Sequence, residues 1–462
     1  MITAVVGFGG KTTLIKKLAQ QYTSQGKKVF VTTTTHMMIE EDTLLTDDAD
    51  VIIAELKSKG YAMAGVADGI KIKALSDDAY AKVCEYADVV LVEADGSKKM
   101  PLKYPNDTEP VIPDNVDEIV VVCCFDALGQ KAKDVCHRLE YAKKHVGIND
   151  DTVISPVHIQ KIVEEGYLKP LGKKYPDKKI SVYPRHNGTL YQRALSSLLK
   201  SNADLSAIRE EWFCPQPHLF VCGAGHVAKE VASLAKHLDF EITVIDDRAD
   251  LATEQRFPDV NRLVCDSYDN LDKYLKDDAY YVVVTPDHKA DLLCVRKILQ
   301  TKYSYLGMIG SKRKVSSTFE NLHIEGFSQQ QIDTIFAPVG LDIGAVTPSE
   351  IAISILAQII QQKNKKHSAS VDRELLQIDE NGVLCIITQK QGSAPRGVGS
   401  MLFVGKDKVL GSIGGGEAEY FAICHARNCN GVESKLYSLN NQNSNGLDMI
   451  CGGTIQVTFI PV

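Results

Sequence analysis

The sequence lacks the features that would place it in a membrane or outside the cell. No apolar run approaches the roughly 20 residues that span a bilayer. Met1 leads directly into a strand-like segment rather than into a charged leader with a long apolar core. The 12 cysteines are scattered and form no Cys-x-x-Cys pair, so neither a zinc ribbon nor a redox motif is present. We therefore expect a cytoplasmic protein with reduced thiols.

A basic excess, which nucleic-acid-binding proteins usually show, is also missing. The chain has 52 Lys and Arg against 59 Asp and Glu, for a formal net charge of -7, and we expect no nucleic-acid partner. A hydrophobic content of 44% and a charged content of 24% are ordinary for a globular chain. At 462 residues, the length suggests about three domains.

The order of strand-like and helix-like segments predicts an α/β fold with three parts. Strands alternate with helices over residues 1–200, which predicts a P-loop-like nucleotide-binding domain with a parallel sheet. A second alternation begins at His218 and predicts a Rossmann-like domain over 213–362, closed by a helix over 349–362. The polar stretch 361–370 is a linker candidate. Glycine turns and short strands predict a small mixed α+β domain over 371–462.

A glycine-rich loop follows the first predicted strand and precedes an amphipathic helix. It reads Gly7-Phe8-Gly9-Gly10-Lys11-Thr12-Thr13. Glycines let backbone N–H groups face a phosphate, and the helix N-terminus adds a positive field. Lys11 would neutralise the β- and γ-phosphates, and Thr12 would place its hydroxyl on Mg²⁺. The loop is shorter than the usual phosphate loop and is similar to the compact loop of peptide ligases of cell-wall synthesis.

An acidic strand end supports a nucleotide site. The apolar segment 88–96 ends in Glu93 and Asp95, where a carboxylate would hold Mg²⁺ or its water. We assign Lys11, Glu93 and Asp95 as candidate catalytic residues, and Thr12 with Glu93 as candidate Mg²⁺ ligands. Lys103 would clamp an anionic substrate or belong to a solvated basic turn. No Asn-Lys-x-Asp guanine reader is present, so ATP and GTP both stay open.

These motifs resemble the YqeC-like family of selenium-dependent hydroxylase accessory proteins over about residues 1–190. The resemblance implies nucleotide binding, while NTPase or kinase activity stays open. It is carried by motifs in the family's order: Gly7–Thr13, His36-Met37, Glu93–Gly96, Pro101–Lys103, Glu109-Pro110, Asp126–Gly129 and His137-Arg138.

A second glycine loop lies between a strand and a helix. Gly223-x-Gly225-His226-x-Ala228 is followed, 21 residues after Gly225, by Asp246 at the end of the next strand. This spacing is typical of a dinucleotide-binding unit, in which the acid meets ribose hydroxyls. His226 and His288 both follow predicted strands, at the edge where open sheets bind ligands. They would share a ligand or proton role, or each would be structural.

The segments from about 215 to 362 resemble the Rossmann domain of the XdhC/CoxI family, accessory factors of xanthine dehydrogenase and carbon monoxide dehydrogenase. That family's other domain carries three glycine motifs, which here follow the Rossmann segment rather than precede it, as in a circular permutation. They are Gly392–Arg396, Gly411–Gly416 and Cys451–Gly453. Where the family often has a cysteine, this chain has Glu417, while Glu419 matches the family.

The XdhC/CoxI resemblance implies an accessory protein that binds, sulfurates and inserts the molybdenum cofactor, as molybdopterin or its dinucleotide form. Arg396, Glu419 and Cys451 would contact it, with Cys451 as a thiolate ligand of the molybdenum or a buried structural thiol. The implied partners are a molybdenum hydroxylase apoenzyme and cofactor biosynthesis proteins, and a homodimer stays open. Two alternatives remain: an NAD(P)-dependent oxidoreductase, and an ATP-dependent kinase or ligase acting on a cofactor precursor.

Overall fold

The computed structural model contains two sheets with a parallel core and one smaller antiparallel sheet. It describes residues 1–96, 98, 100–213, 216–366, 371, 373–439 and 453–462. Cys451 therefore lies outside the described residues. No helix within the described part of the chain is long and apolar enough to cross a membrane.

The first part of the chain forms a 9-stranded sheet with helices on both faces. Its order is β11-β9-β1-β7-β2-β5-β6-β3, with β4 beside β5, and a separate two-stranded ribbon joins β8 to β10. The elements are β1 (Ile2–Gly7), α1 (Lys11–Ser24), β2 (Val29–Thr33), β3 (His36–Met38), β4 (Thr43–Leu45), α2 (Ala49–Lys59), β5 (Tyr61–Asp68), β6 (Lys71–Lys73), α3 (Asp77–Tyr86), β7 (Val89–Glu93), β8 (Leu102–Lys103), β9 (Glu118–Cys124), α4 (Ala132–Val135), β10 (Cys136–His137), α5 (Leu139–Val146), α6 (Pro156–Val163), α7 (Lys169–Lys174), β11 (Lys179–Arg185) and α8 (Leu190–Lys200).

The central strands of this sheet are apolar on both faces. Every residue of β2 and β7 is buried, as are five of the six residues of β1. Strands that are covered on both faces have continuous rather than alternating apolar runs, which is why their sequences predict a parallel sheet. The pairings of β1 with β7 and with β9 are parallel. This confirms the predicted fold and brings the ends of β1 and β7 to the same edge.

The second sheet has the strand order of a doubly wound dinucleotide-binding fold. All of its pairs are parallel, in the order β14-β13-β12-β15-β16-β17. The chain order reverses between β12 and β15, and ligands bind at such a point in folds of this class. Its elements are β12 (His218–Cys222), α9 (His226–Lys236), β13 (Glu241–Asp246), β14 (Arg262–Cys265), β15 (Tyr280–Val283), α10 (His288–Ile298), β16 (Tyr305–Met308), α11 (Lys312–Ile324), α12 (Gln329–Ile332), β17 (Ile335–Phe336) and α13 (Pro348–Lys366).

The third sheet is antiparallel, with the order β20-β19-β18-β22-β21. It confirms a small C-terminal domain of mixed structure. Helix α15 packs on the sheet through Ala418, Ala422 and Ala426. The elements are α14 (Arg373–Leu376), β18 (Val383–Gln391), β19 (Met401–Val404), β20 (Val409–Gly411), α15 (Gly416–Ala426), β21 (Glu433–Ser438) and β22 (Thr454–Pro461).

The linker prediction for 361–370 is wrong in its first half, because α13 continues to Lys366. Lysine and glutamine favour helix, so a polar helical end has the composition of a linker. The apolar side of the same helix packs against α9, with Ile355 and Ile359 fully buried.

The first and third sheets share one hydrophobic core. A single buried cluster contains Leu195 of α8 together with Leu384 and Phe403 of the C-terminal sheet. Arg193, also on α8, is buried and donates to the carbonyl oxygens of Ile378 and Glu380, at 2.7 and 2.6 Å. The two sheets therefore meet through a packed, hydrogen-bonded interface.

Candidate functional site

The glycine loop between β1 and α1 has a backbone that only glycine adopts without strain. Gly7 has φ 100° and Gly10 has φ 138°. A Cβ atom on Gly7 would lie 2.0 Å from the carbonyl oxygen of Val122 on β9. The loop is therefore pressed against the neighbouring strand, and side chains at these positions would push it away.

The first turn of α1 has the character of an anion site. Gly10 is the N-cap residue, and no side chain caps the helix. The N-terminus of a 14-residue helix carries a partial positive charge and backbone N–H groups directed outward. Thr13 in this turn is exposed. The geometry matches the phosphate site that the sequence predicts.

Lys11 is buried and ion-paired, with an exposed fraction of 4%. Its Nζ lies 3.0 Å from Oδ1 of Asp95 and donates to the carbonyl oxygen of Gly7 at 2.8 Å. In this state Lys11 holds the loop to the end of β7. A phosphate at the helix N-terminus would have to draw Lys11 away from Asp95.

Asp95 is the fully buried centre of a polar network. Its Oδ2 accepts hydrogen bonds from the Tyr167 hydroxyl at 3.1 Å and from the Gly7 N–H at 3.2 Å, and lies 3.2 Å from Nζ of Lys103. Burial alone would raise the pKa of Asp95, but Lys11 and Lys103 outweigh burial and lower it. Asp95 is therefore a fixed negative charge rather than a proton donor.

The network extends from Asp95 to the protein surface through charged pairs. Lys103, which is also fully buried, forms a second ion pair with Glu109. Arg138 binds the same carboxylate with both terminal nitrogens, at 2.5 and 3.0 Å. These contacts lower the pKa of Glu109 despite the opposing effect of burial. Lys103 is thus a buried ion-pair residue, not a residue of a solvated turn.

Glu93 and Thr12 form a separate pair beside the loop. The Thr12 hydroxyl donates to Oε2 of Glu93 at 2.9 Å. Glu93 is 7% exposed, and burial raises its pKa although Lys11 acts in the opposite direction. A buried carboxylate with a raised pKa next to a hydroxyl has the ligand chemistry that Mg²⁺ prefers.

Arg185 at the end of β11 is a further loop contact. Its Nε donates to the carbonyl oxygen of Gly9 at 2.7 Å, and its guanidinium pairs with Asp126. Carbonyl oxygens that face a phosphate would repel it, so this contact turns the Gly9 carbonyl toward a cation. Arg185 thereby links the loop to the strand that leads into α8.

The second glycine loop is held by the acid that the sequence predicts to meet ribose. Oδ2 of Asp246 accepts the Ala224 N–H at 2.6 Å. The same carboxylate binds Arg248 at 2.8 and 2.7 Å and is fully buried. Ribose could reach Asp246 only after Arg248 moved, so the ribose contact stays a prediction.

The two histidines of this domain lie on neighbouring strand ends. His226 begins α9 after β12, and His288 begins α10 after β15. Both are exposed at the edge where the strand order reverses, beside Gly223 and Gly225. The structure thus places them at the same edge, as predicted, while their shared role stays a prediction.

A buried carboxylate near His288 escaped the sequence analysis. Asp291 is fully buried, pairs with Lys314 and accepts the Thr285 hydroxyl at 2.5 Å. Burial raises its pKa, and Lys314 and Thr285 oppose that shift. The sequence signal was the Thr285–His288 segment, whose hydroxyl faces one turn into α10.

The glycine motifs of the C-terminal domain come together at one end of its sheet. A Cβ on Gly453 would lie 2.3 Å from the Ser393 carbonyl oxygen, and one on Gly414 would lie 3.2 Å from Cβ of Pro395. Glu419 holds the middle motif: its Oε2 accepts hydrogen bonds from the Ser412 hydroxyl and from two backbone N–H groups, at 2.7 to 3.0 Å.

Three family models match the chain, each over a different segment. The YqeC protein model matches residues 3–140, the XdhC Rossmann domain model matches 219–359, and the XdhC and CoxI family model matches 375–436.

The chain joins a YqeC-type domain to both domain types of the XdhC and CoxI family.

Curated relatives agree with this composition. The chain is 34% identical to the uncharacterized protein YqeB of Escherichia coli K12, over 32% of this chain and 28% of the relative. It is 32% identical to the uncharacterized protein YqeC of the same organism, over 33% and 63%. Identity is 29% to a probable xanthine dehydrogenase subunit of Bacillus subtilis 168, over 33% and 44%. The chain thus spans less than two thirds of each relative.

A solved structure is similar over part of the chain. A xanthine dehydrogenase from Bacillus halodurans matches with 28% identity and a TM-score of 0.30, over 35% of this chain and 47% of that one.

In the YqeC-type domain, the structure brings together the predicted site residues Lys11, Thr12, Glu93 and Asp95. It adds residues without a predicted role. Glu109 and Arg138 belong to the motifs that carry the family resemblance, whereas Tyr167 lies outside every motif. These added residues are Tyr167, Glu109, Arg138 and Arg185.

The XdhC domains do not bring all their predicted residues to one point. Arg396 of the CoxI-type domain lies 4.0 Å from Asp239, beyond the C-terminal end of α9. Gly225 lies at the opposite end of that helix, which is roughly 16 Å long at 1.5 Å per residue. Only an extended ligand could contact both Arg396 and the glycine loop.

Proposed function

We propose that the YqeC-type domain binds Mg²⁺ and a nucleoside triphosphate, ATP or GTP, at the loop from Gly7 to Thr13. The observation that carries the proposal is the uncapped N-terminus of α1 next to Lys11 and the Thr12–Glu93 pair. The helix end would bind phosphate oxygens, and Lys11 would neutralise them. Thr12 and Glu93 would hold Mg²⁺ directly or through water.

Lys11 changes partners in this proposal. A triphosphate competes with Asp95 for the Lys11 ammonium group, and Asp95 then keeps Lys103, Tyr167 and the Gly7 N–H as partners. Because Lys103 stays bound to Asp95, the departure of Lys11 does not leave an unpaired buried charge. The network thus permits a lysine movement that a single buried pair would oppose.

Glu93→Gln should separate Mg²⁺ binding from stability. Burial raises the pKa of Glu93, so folding favours the neutral form, and the stability associated with that form is lost as pH rises through the raised pKa. Without ligand at neutral pH, Glu93→Gln should melt at the wild-type temperature or above it. Adding Mg²⁺ and ATP should raise the melting temperature of the wild type but not of the variant.

Glu109→Gln is the matched control for this experiment. Its pKa is lowered by Arg138 and Lys103 against burial, so its charged form stabilises the fold above the ordinary carboxyl pKa. This variant should melt below the wild type and still respond to Mg²⁺ and ATP. A lower melting temperature for Glu93→Gln, or an intact Mg²⁺ response, would contradict the assignment of Glu93.

We infer that the whole chain is an accessory protein in the maturation of a xanthine dehydrogenase-type molybdenum hydroxylase. The support is the pair of XdhC and CoxI domains, together with relatives and a solved structure that carry the xanthine dehydrogenase name. The partner would be the hydroxylase apoenzyme, and the cargo would be the molybdenum cofactor. The clustered glycine motifs with Glu419 and Arg396 would bind it, and Cys451 would supply the thiolate.

The shared core gives nucleotide binding a route to this domain. Arg185 contacts the carbonyl oxygen of Gly9 and lies on the strand before α8, and Arg193 of α8 binds the segment that enters β18. Strand β18 leads directly to the Gly392–Arg396 motif. We propose that the nucleotide state of the loop alters cofactor binding through this packed unit.

Reconstitution tests the proposed function. Hydroxylase apoenzyme is incubated with molybdenum cofactor and the full chain, and hydroxylase activity is followed over time. Activity should appear faster with Mg²⁺ and ATP or GTP than with a non-hydrolysable analogue. Equal activation with and without the chain would overturn the proposal. A reduced nicotinamide retained by the purified chain would favour an oxidoreductase, and a phosphorylated pterin product would favour a kinase.

A further inference from the structure

A cluster of metal-ligand side chains lies at the end of α15 that is remote from the glycine motifs. His425 is on the last turn of the helix, Cys429 is in the following turn, and Glu433 begins β21. One ligand atom from each lies within 4.8 Å of the others. Helix α15 is roughly 16 Å long, so this cluster is separate from the proposed cofactor site.

The imidazole of His425 is fixed and faces the other two side chains. Its ring packs edge-on against Phe459, with centroids 4.6 Å apart and planes at 77°. Its Nε2 lies 2.9 Å from Oε1 of Glu433 but is buried without a hydrogen bond of acceptable geometry. A buried polar atom that lacks a hydrogen bond needs another partner.

The thiol of Cys429 completes the set. Cys429 is 9% exposed, and its Sγ lies 3.0 Å from the Gly431 carbonyl oxygen. Burial and the adjacent Glu433 raise the pKa of the thiol, and Cys429 in turn lowers the pKa of Glu433. The thiol proton therefore lies between sulfur and carboxylate, and a cation at that position would replace it.

We propose that His425 Nε2, Cys429 Sγ and Glu433 Oε1 bind a Zn²⁺ ion, with one coordination position left for water or an exogenous ligand. Imidazole nitrogen, thiolate sulfur and carboxylate oxygen are all zinc ligands, and sites with three protein ligands keep an open position. The spacing is His-x₃-Cys-x₃-Glu, across a helix end and a turn.

Zinc binding requires three small changes at this cluster. Cys429 releases its proton to solvent and gives up its contact with Gly431. The ligand atoms contract toward bonds of about 2.0–2.3 Å. Lys435, whose Nζ lies 2.7 Å from Nδ1 of His425, turns away because a zinc-bound imidazole carries its proton on Nδ1. Lys435 is exposed, so its movement meets no packing.

The test is a zinc titration of the metal-depleted full chain against a chromophoric chelator. The wild type should bind one equivalent tightly. Cys429→Ser and His425→Gln should bind this equivalent at least about a hundredfold more weakly, because even changes outside the ligand set cost 10–100-fold. Co²⁺ should give a thiolate charge-transfer band in the wild type that Cys429→Ser lacks.

Cys424→Ser is the matched control, since Cys424 is exposed on the same helix, one residue before His425. It should keep both the zinc equivalent and the cobalt band. Glu433→Gln, on the exposed edge strand, gives a variant that does not disturb the core and should also bind weakly. Absence of a tight equivalent in the wild type, or its retention in both Cys429→Ser and Glu433→Gln, would overturn the proposal.

Discussion

Lys11→Ala is expected to weaken binding of the Mg²⁺–triphosphate complex at least about tenfold, because a charge-assisted lysine–phosphate contact contributes a few kcal/mol. The loss should be larger for the triphosphate than for the monophosphate, since Lys11 is proposed to contact the β- and γ-phosphates. Asp95 keeps Lys103 as its partner, so the variant should remain folded. Calorimetry on the full chain measures the affinities.

Lys16→Ala is the control for this experiment. Lys16 lies on the same helix, is 58% exposed and pairs with Glu40 at the surface, so its removal should leave nucleotide affinity unchanged. If wild type and Lys11→Ala bind the triphosphate equally, the loop from Gly7 to Thr13 is not the phosphate site.

Lys103→Met is expected to be the most destabilising single change in the YqeC-type domain. Lys103 is fully buried between Asp95 and Glu109, and breaking a buried ion pair by removing one partner typically costs roughly 3–5 kcal/mol. The methionine retains the volume but leaves two carboxylates with fewer partners. Denaturant titration of the full chain, followed by circular dichroism, should show an earlier first transition.

Lys133→Met provides the surface comparison. Lys133 is 46% exposed and pairs with Asp151, and exposed pairs contribute about 0–1 kcal/mol. Similar transition midpoints for the two variants would show that the Asp95–Lys103–Glu109 network does not stabilise the domain.

Local sequence patterns predicted the elements that carry the candidate sites. The apolar runs of β1 and β7 and the glycine loop define a strand, a turn and a helix within one short segment, and each is stabilised by nearby residues. The same holds for β12 and its loop up to Gly225. Such features are visible in sequence because glycine, apolar periodicity and charge each have a local physical meaning.

The contacts between distant segments could not be predicted in this way. Asp246 has the spacing of a ribose ligand, yet Arg248 and the Ala224 N–H occupy its oxygens. Tyr167 reaches Asp95 from a segment 72 residues away. Arg193 joins two sheets whose sequences look independent. Each depends on tertiary packing, which leaves no periodic signal in the chain.

The most direct test of the proposed function is the molybdenum and pterin content of the full chain purified from cells that make the cofactor. Glu419 holds the glycine motif through two backbone N–H groups and Ser412, whereas Glu417, two residues earlier, is exposed. We expect the wild type and Glu417→Ala to retain molybdenum and pterin together and Glu419→Ala to lose both. Wild-type protein without either, or equal retention by Glu419→Ala, would contradict a cofactor site at these glycine motifs.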